Sequence, residues 1–183
     1  MLYTVIGTQN TGKSTFIQDF LKEFPGFISP TIDYRSVVRA KKLKLNREGN
    51  LYSQEILFSF ILNDSRQYTA IKDDTILDRS IIDAYVYTSW LWLNKPSSGV
   101  TAEAIAKQYK ILQNEIHMYD KIFFCPIKGN EHVQLVDDQF RDINEEYRKD
   151  IDILFQDTLK RLGVKYVTLS GTREERIEIV KSL

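Results

Sequence analysis

The feature that most constrains this chain is Gly7-Thr8-Gln9-Asn10-Thr11-Gly12-Lys13-Ser14, which reads G-x-x-x-x-G-K-S. A short apolar run, Leu2–Ile6, precedes it, and an amphipathic stretch follows at once. Strand, glycine-bearing turn and helix in that order form a cradle for phosphate. Gly7 and Gly12 let the backbone wrap closely around phosphate oxygens. The loop N–H groups, those of Asn10 and Thr11 among them, then point inward at the positive end of the helix dipole. Lys13 is placed to reach β- and γ-phosphates, and the Ser14 hydroxyl, followed by Thr15, to serve as a ligand for Mg2+. A chance glycine turn before a helix is the bland alternative, and it would not require this strand and helix context.

The rest of the chain alternates in the same manner. Strands are expected at Leu2–Ile6 and at residues 27–29, 75–77, 121–127 and 164–169. Helices are expected at residues 13–24, 51–62, 80–93 and 101–118. A further helix starts at Asp142, which has Glu145 in the capping-box position, and Gly163 is placed to end it. Thr172 with Glu175 opens the last helix. Short apolar strands separated by helices argue for a parallel sheet covered on both faces. Residues 80–93 are apolar nearly all round, which predicts a buried helix. No linker or repeat divides residues 1–183, so one domain is expected.

The 183 residues carry no net charge, so the surface as a whole makes no electrostatic case for nucleic acid or membrane. No apolar run approaches the roughly 20 residues needed to span a bilayer, and the first apolar segment is too short for a signal peptide. The single cysteine, Cys125, sits in an apolar run and reads as a buried, inert thiol. His117 and His132 lack partners at metal-ligand spacing. A cytoplasmic setting fits these features.

A magnesium carboxylate should come from the end of a strand near the loop. Asp78, closing the string TILD, fits that role, although it also precedes a helix and could serve as a cap. Arg79 is placed to clamp a phosphate or an acceptor oxygen, or to pair with Asp78 or Asp83. No guanine-reading N-K-x-D is present: Asn94-Lys95-Pro96-Ser97 lacks the Asp. What remains is a small kinase, which needs an acceptor pocket and a basic lid that excludes water. The lid is expected at about residues 128–150. Arg141 and Arg148, nearly two helical turns apart, would share a face and reach an ATP phosphate.

GTQNTGKST, LDRSIID, FFCPI, DDQFRDINEEYRKDID and LSGTREER together resemble the nicotinamide riboside kinase-like P-loop domains. These are small AAA-like kinases related to deoxynucleoside and thymidylate kinases. The resemblance runs in order along nearly the whole chain. It implies a three-layer α/β P-loop NTPase fold, with a parallel five-stranded sheet, helices on both faces and a helical lid. Gly7, Gly12, Lys13, Ser14 and Thr15 match the ATP and Mg2+ loop. Asp78 and Arg79 match the D/E-R-S/Y string that serves metal, acceptor and phosphoryl positioning. Arg141 matches the lid arginine, and Ser170-Gly171-Thr172 falls where related kinases line adenine with backbone. The departure lies at PTIDYRS, where deoxynucleoside kinases often show Glu-Pro. Asp33 is expected to stand in there as the base for the acceptor hydroxyl, with Tyr34 and Arg35 beside it.

The expected acceptor is a small-molecule nucleotide or nucleoside, first of all a deoxynucleoside monophosphate. Tyr34 and the rings of the buried helix suit a base, though such rings are also core material. Gln54 is placed to read a base edge. The stretch YRSVVRAKKLKLNR contains no acid. It would suit an acceptor that already bears phosphate, or a polynucleotide, which makes a kinase of nucleic-acid ends or modified DNA bases the second choice. A nucleotide-binding regulatory ATPase module is the alternative from another class. No membrane partner is expected, and a homodimer stays open.

Overall fold

The computed structural model describes residues 1–30, 33–138 and 140–183. Thr31 and Ile32, within the PTIDYRS departure, and Gln139, within the lid, lie outside the described residues. The strands are β1 (Leu2–Ile6), β2 (Thr75–Asp78), β3 (Lys121–Phe124) and β4 (Val167–Thr168). They form one parallel sheet in the order β2-β1-β3-β4. The helices are α1 (Lys13–Glu23), α2 (Tyr34–Lys41), α3 (Leu51–Ile71), α4 (Ile81–Asn94), α5 (Ala102–Glu115), α6 (Glu145–Leu162) and α7 (Arg173–Lys181).

Side-chain alternation along the strands builds two cores. Leu2, Ile6, Leu77, Ile122 and Phe124 face α3, α4, α5 and α6. Val5, Ile76, Phe123 and Cys125 face α1 and α7, where Phe16, Phe20 and Ile177 cover them. Helix α4 is buried from Ile81 to Leu91, as its uniform apolarity predicts. The Cys125 thiol is buried, and burial pushes its pKa up to about 11, which suits an inert packing group.

Three expectations are corrected. Among the described residues the sheet has four strands, not five. Residues 27–29 contribute only a bridge from Ile28 to Thr75, because Gly26 and Pro30 bound the run at the open edge of β2. The basic stretch, in which no helix is expected from the pattern, is helical at its start. It holds α2, which Asp33 caps by accepting from the Ser36 N–H at 3.0 Å and which buries Tyr34 and Val38. Helix α6 starts at Glu145 with Asn144 as its cap, not at Asp142. The Asp142 carboxylate is held instead by Arg47, at 2.6 and 3.2 Å. Arg141 therefore lies before the helix and does not share a face of it with Arg148.

Candidate active site

Strand β1 delivers the chain into the loop 7–12. Gly7 has a φ of 133°, and a side chain there would run into the backbone carbonyl of Cys125. Gly12 has a φ of 82°, and an added Cβ would stand 2.6 Å from the Arg176 guanidinium. Both positions demand glycine for conformation and for space. The loop bends over the N-terminus of α1, so its free N–H groups and the helix dipole face one cleft. That cleft has a volume of about 140 Å³. The loop lines it with Gln9, Asn10, Gly12, Lys13, Ser14 and Thr15, and Tyr34, Arg35, Asp78, Arg79 and Arg141 complete it.

Within the cleft the Lys13 ammonium donates to the Thr8 carbonyl at 2.6 Å. Burial, and then the nearby Arg79, push its pKa down to about 8 against the pull of Asp78 and Asp83. A buried cation held this way is short of negative charge, which phosphate would supply. Ser14 Oγ donates to Asp78 Oδ2 at 2.9 Å. A hydroxyl and a strand-end carboxylate side by side match the way Mg2+ is held, through one or two protein oxygens together with phosphate oxygens and water. Among the described residues no group of three His, Cys, Asp or Glu side chains converges on a metal position. An ion at Ser14 and Asp78 thus depends on a phosphate ligand.

Arg79 follows Asp78 with a φ of 89°, a conformation that costs a side-chain-bearing residue about 1–3 kcal/mol. This turn sends its guanidinium between two rings, 4.4 Å from the centroid of Tyr34 and 5.1 Å from that of Tyr87. Beyond it lies a second cavity of about 40 Å³. Gln54, Asp83, Tyr87 and Phe140 are among its walls, and it shares Tyr34 and Arg79 with the phosphate cleft. Gln54 is buried, and its Oε1 accepts from the Thr88 hydroxyl at 3.3 Å. The cavity is mainly aromatic and aliphatic with a few convergent polar groups, as small-molecule pockets are.

The segment before α6 closes over the loop. Asn10 and Val136 exchange two hydrogen bonds, at 3.1 and 3.3 Å. Gln9 Nε2 donates to the Asp142 carbonyl at 3.1 Å. Arg148, from α6, donates to the carbonyls of Gln9 and Asn10, both at 3.4 Å. Arg141 reaches the phosphate cleft, whereas Arg148 braces the loop from behind. Among the described residues, the segment between β3 and α6 is irregular, and α6 follows it.

Two groups of expected residues stand elsewhere. Among the described residues Asp33 lines neither cavity: its carboxylate caps α2 and takes the Ser36 hydroxyl and Arg35. Gly171 and Thr172 likewise line neither, and Thr172 caps α7 with Glu175. They reach the loop through Arg176, which the sequence analysis did not single out. Arg176 is buried and donates to Gly171 O at 3.2 Å, Thr11 O at 3.1 Å and Asn130 Oδ1 at 2.6 Å. Gln9 was also missed as a side chain. Its Oε1 accepts from Tyr87 at 2.6 Å, tying the phosphate loop to the second cavity.

The parallel sheet, the glycine loop over α1, Lys13, and the Ser14–Asp78 pair define a P-loop domain. A family model described as AAA domain matches residues 2–176, and the chain belongs to that family. Solved structures agree in fold. The NadR protein in complex with NAD and AMP-PNP superposes with a TM-score of 0.72 at 16% identity, covering 99% of this chain and 48% of that one. The chain thus spans about half the length of NadR. Deoxyadenosine kinase from M. mycoides with bound dATP gives 0.66 at 14% identity, covering 100% of this chain and 98% of that one. Thymidylate kinase from Candida albicans gives 0.65 at 15%, covering 99% and 91%. No curated protein matches the chain in sequence.

Proposed function

We propose that the chain is an ATP- and Mg2+-dependent kinase that phosphorylates a nucleotide or nucleoside, with a deoxynucleoside monophosphate as the first candidate. The observation that carries this reading is the join between the two cavities. The phosphate cleft and an aromatic-walled pocket share Arg79 and Tyr34 as walls, which sets the second pocket beside the phosphate site. A switch or a motor has no need of that second pocket. The adenine nucleotides named in the NadR and deoxyadenosine kinase structures support ATP as the donor.

In this reading the loop N–H groups and Lys13 bind the β- and γ-phosphates. Ser14 and Asp78 hold Mg2+, which when bound neutralises phosphate charge. Arg79 and Arg141 bring cations to the transferring group, where charge develops in the transition state. Arg148 keeps the loop in shape, and the backbone at Gly171 and Thr172 flanks the adenine. Tyr34 and Gln54 receive the acceptor's base, and Arg35 its phosphate. No helix is long and apolar enough to cross a membrane, and a cytoplasmic setting suits an ATP-consuming reaction on free nucleotides.

Arg39, Lys41, Lys42 and Lys44 are exposed on and just after α2, beside the acceptor side. They favour a second reading, in which a polynucleotide runs past the site. One experiment separates the two: phosphoryl transfer from labelled ATP to nucleosides, nucleotides and oligonucleotides, with binding measured across a salt series. The small-molecule reading expects label on a mononucleotide or nucleoside. Label on oligonucleotides alone, with log affinity falling by about 0.7 to 0.9 per contacted phosphate for each tenfold rise in salt, would replace it by the second. Hydrolysis of ATP with no labelled acceptor would leave only the regulatory module.

A further inference from the structure

Asp83 and Arg79, both walls of the second cavity, each carry a buried polar atom without a hydrogen-bond partner among the described residues: Asp83 Oδ1 and Arg79 Nε. Native interiors leave few such groups unpaired, and each one is costly. Here they occur as a complementary pair, an acceptor and a donor, on neighbouring walls of one pocket. The Asp83 carboxylate is otherwise well anchored. Its Oδ2 accepts from the Ser80 N–H at 2.8 Å, which closes a capping box at the start of α4. Oδ1 stands 3.8 Å from Arg79 Nη1, beyond hydrogen-bond distance.

The other carboxylates near the site are engaged. Asp78 takes the Ser14 hydroxyl on the metal side. Asp33 caps α2 outside both cavities. Resting on the kinase reading above, we infer that Asp83 is the catalytic residue that receives the acceptor's hydroxyl, with Arg79 Nε donating to the same oxygen. One hydroxyl group satisfies both open atoms, since it donates once and accepts twice. The site for it lies beside Arg79, which with Tyr34 is common to both cavities and so borders the phosphate cleft as well.

The step balances as follows. The acceptor O–H proton passes to Asp83. The acceptor oxygen forms a bond to the γ-phosphorus, and the bond from that phosphorus to the β–γ bridging oxygen breaks. The bridging electron pair leaves on ADP, and Asp83 later returns its proton to solvent. Burial pushes the Asp83 pKa up to about 6, opposed by Arg79 and Lys13, which brings a carboxylate closer to the basicity a general base needs at neutral pH. The titratable groups around it are Arg79 and Tyr87, Lys13 from α1, Asp78 from β2, Tyr119 and Cys125. Of these, Arg79 and Lys13 favour the charged form.

The test uses a nucleoside or nucleotide that the intact chain phosphorylates, with saturating ATP and Mg2+, across pH 5 to 8. Asp83→Asn keeps a carbonyl oxygen for the Ser80 N–H and so preserves the cap. It should lower kcat on the order of a hundredfold or more and abolish the part of the acid limb that centres near pH 6. Ser80→Ala removes the hydroxyl from the same cap and leaves the carboxylate in place, so it should retain the wild-type limb. If Asp83→Asn keeps both its limb and its rate to within about tenfold, the inference fails. It also fails if Ser80→Ala loses the limb equally, because Asp83 would then act only through the helix start. A wild-type chain that labels no acceptor overturns the kinase reading and this inference with it. A wild-type chain that does, beside an unaffected Asp83→Asn, overturns the inference alone.

Discussion

Lys13→Met should make the nucleotide-free protein more stable at neutral pH, not less. The ammonium is buried, with 7% of the residue exposed, and its pKa is pushed from the ordinary 10.5 down to about 8. One pH unit corresponds to about 1.4 kcal/mol, so the charged side chain costs the folded state about 3 kcal/mol at pH 7. The sign follows from which state holds the proton. Below pH 8 both states are protonated, and the folded chain bears the full cost. Between about 8 and 10.5 the folded chain sheds the proton while the unfolded chain keeps it, and stability rises. Methionine removes the charge and keeps most of the volume. It also removes the hydrogen bond to Thr8 O, worth about 1 kcal/mol. That carbonyl is not orphaned, since Thr11 Oγ1 donates to it at 3.0 Å.

The net gain is about 2 kcal/mol, or roughly 4–8 °C in Tm for a chain of this size. Thermal melts of wild type and variant at pH 7 and pH 10 measure it, and the difference between the two proteins should shrink at the higher pH. ATP with Mg2+ should raise the Tm of the wild type by mass action and that of the variant far less. Transfer should be lost. A variant less stable than wild type at pH 7, or one whose advantage is the same at both pH values, would refute the view of Lys13 as a cation awaiting phosphate.

Asp78→Asn removes the charge beside Ser14 but keeps a hydrogen-bonding oxygen, so the fold should hold while the Mg2+ requirement rises and turnover falls by orders of magnitude. An unchanged magnesium titration would assign Asp78 to the scaffold. Arg176→Ala should cost about 3 kcal/mol, since charged hydrogen bonds are lost and the Thr11 carbonyl and Asn130 Oδ1 lose their donor. That is a Tm fall of roughly 6–12 °C. Arg176→Lys should recover only part of it, because one ammonium cannot span the three acceptors, and an unchanged melt would remove α7 from the support of the loop.

What the sequence revealed of this site is what short spacing encodes. The loop, Lys13 and Ser14 are contiguous, and Asp78 closes an apolar run, so each could be placed by local pattern. Asp33 carries a second signal, also local, beside the base role expected of it. An Asp three residues before a Ser, ahead of Tyr34 and Val38 on one face, is a helix cap, and the surrounding lysines and arginines obscured the short helix they decorate. The Asp142 start failed for the opposite reason. Asp142 and Asn144 are both competent caps, and the choice is made by Arg47, far away in the chain, which claims the Asp142 carboxylate. The side chains of Gln9 and Arg176 carry no local signal, because their partners on Tyr87, Asp142, Thr11 and Asn130 meet them only in the fold.

This division follows the chemistry of the two halves of the site. Phosphate is the same in every nucleotide, so one short run of backbone and two side chains suffices to hold it. The second cavity draws on α2, α3, the start of α4 and the segment before α6, with Tyr34, Gln54, Asp83 and Phe140 brought together from all of them. A pocket assembled from distant segments can be reshaped one wall at a time without disturbing the loop. The residues of this second cavity are therefore the ones that local pattern cannot reveal. Asp83 shows both sides of this: it is readable as a cap partner three residues after Ser80, and its second oxygen, 3.8 Å from Arg79 Nη1 and without a hydrogen bond, becomes visible only in the fold.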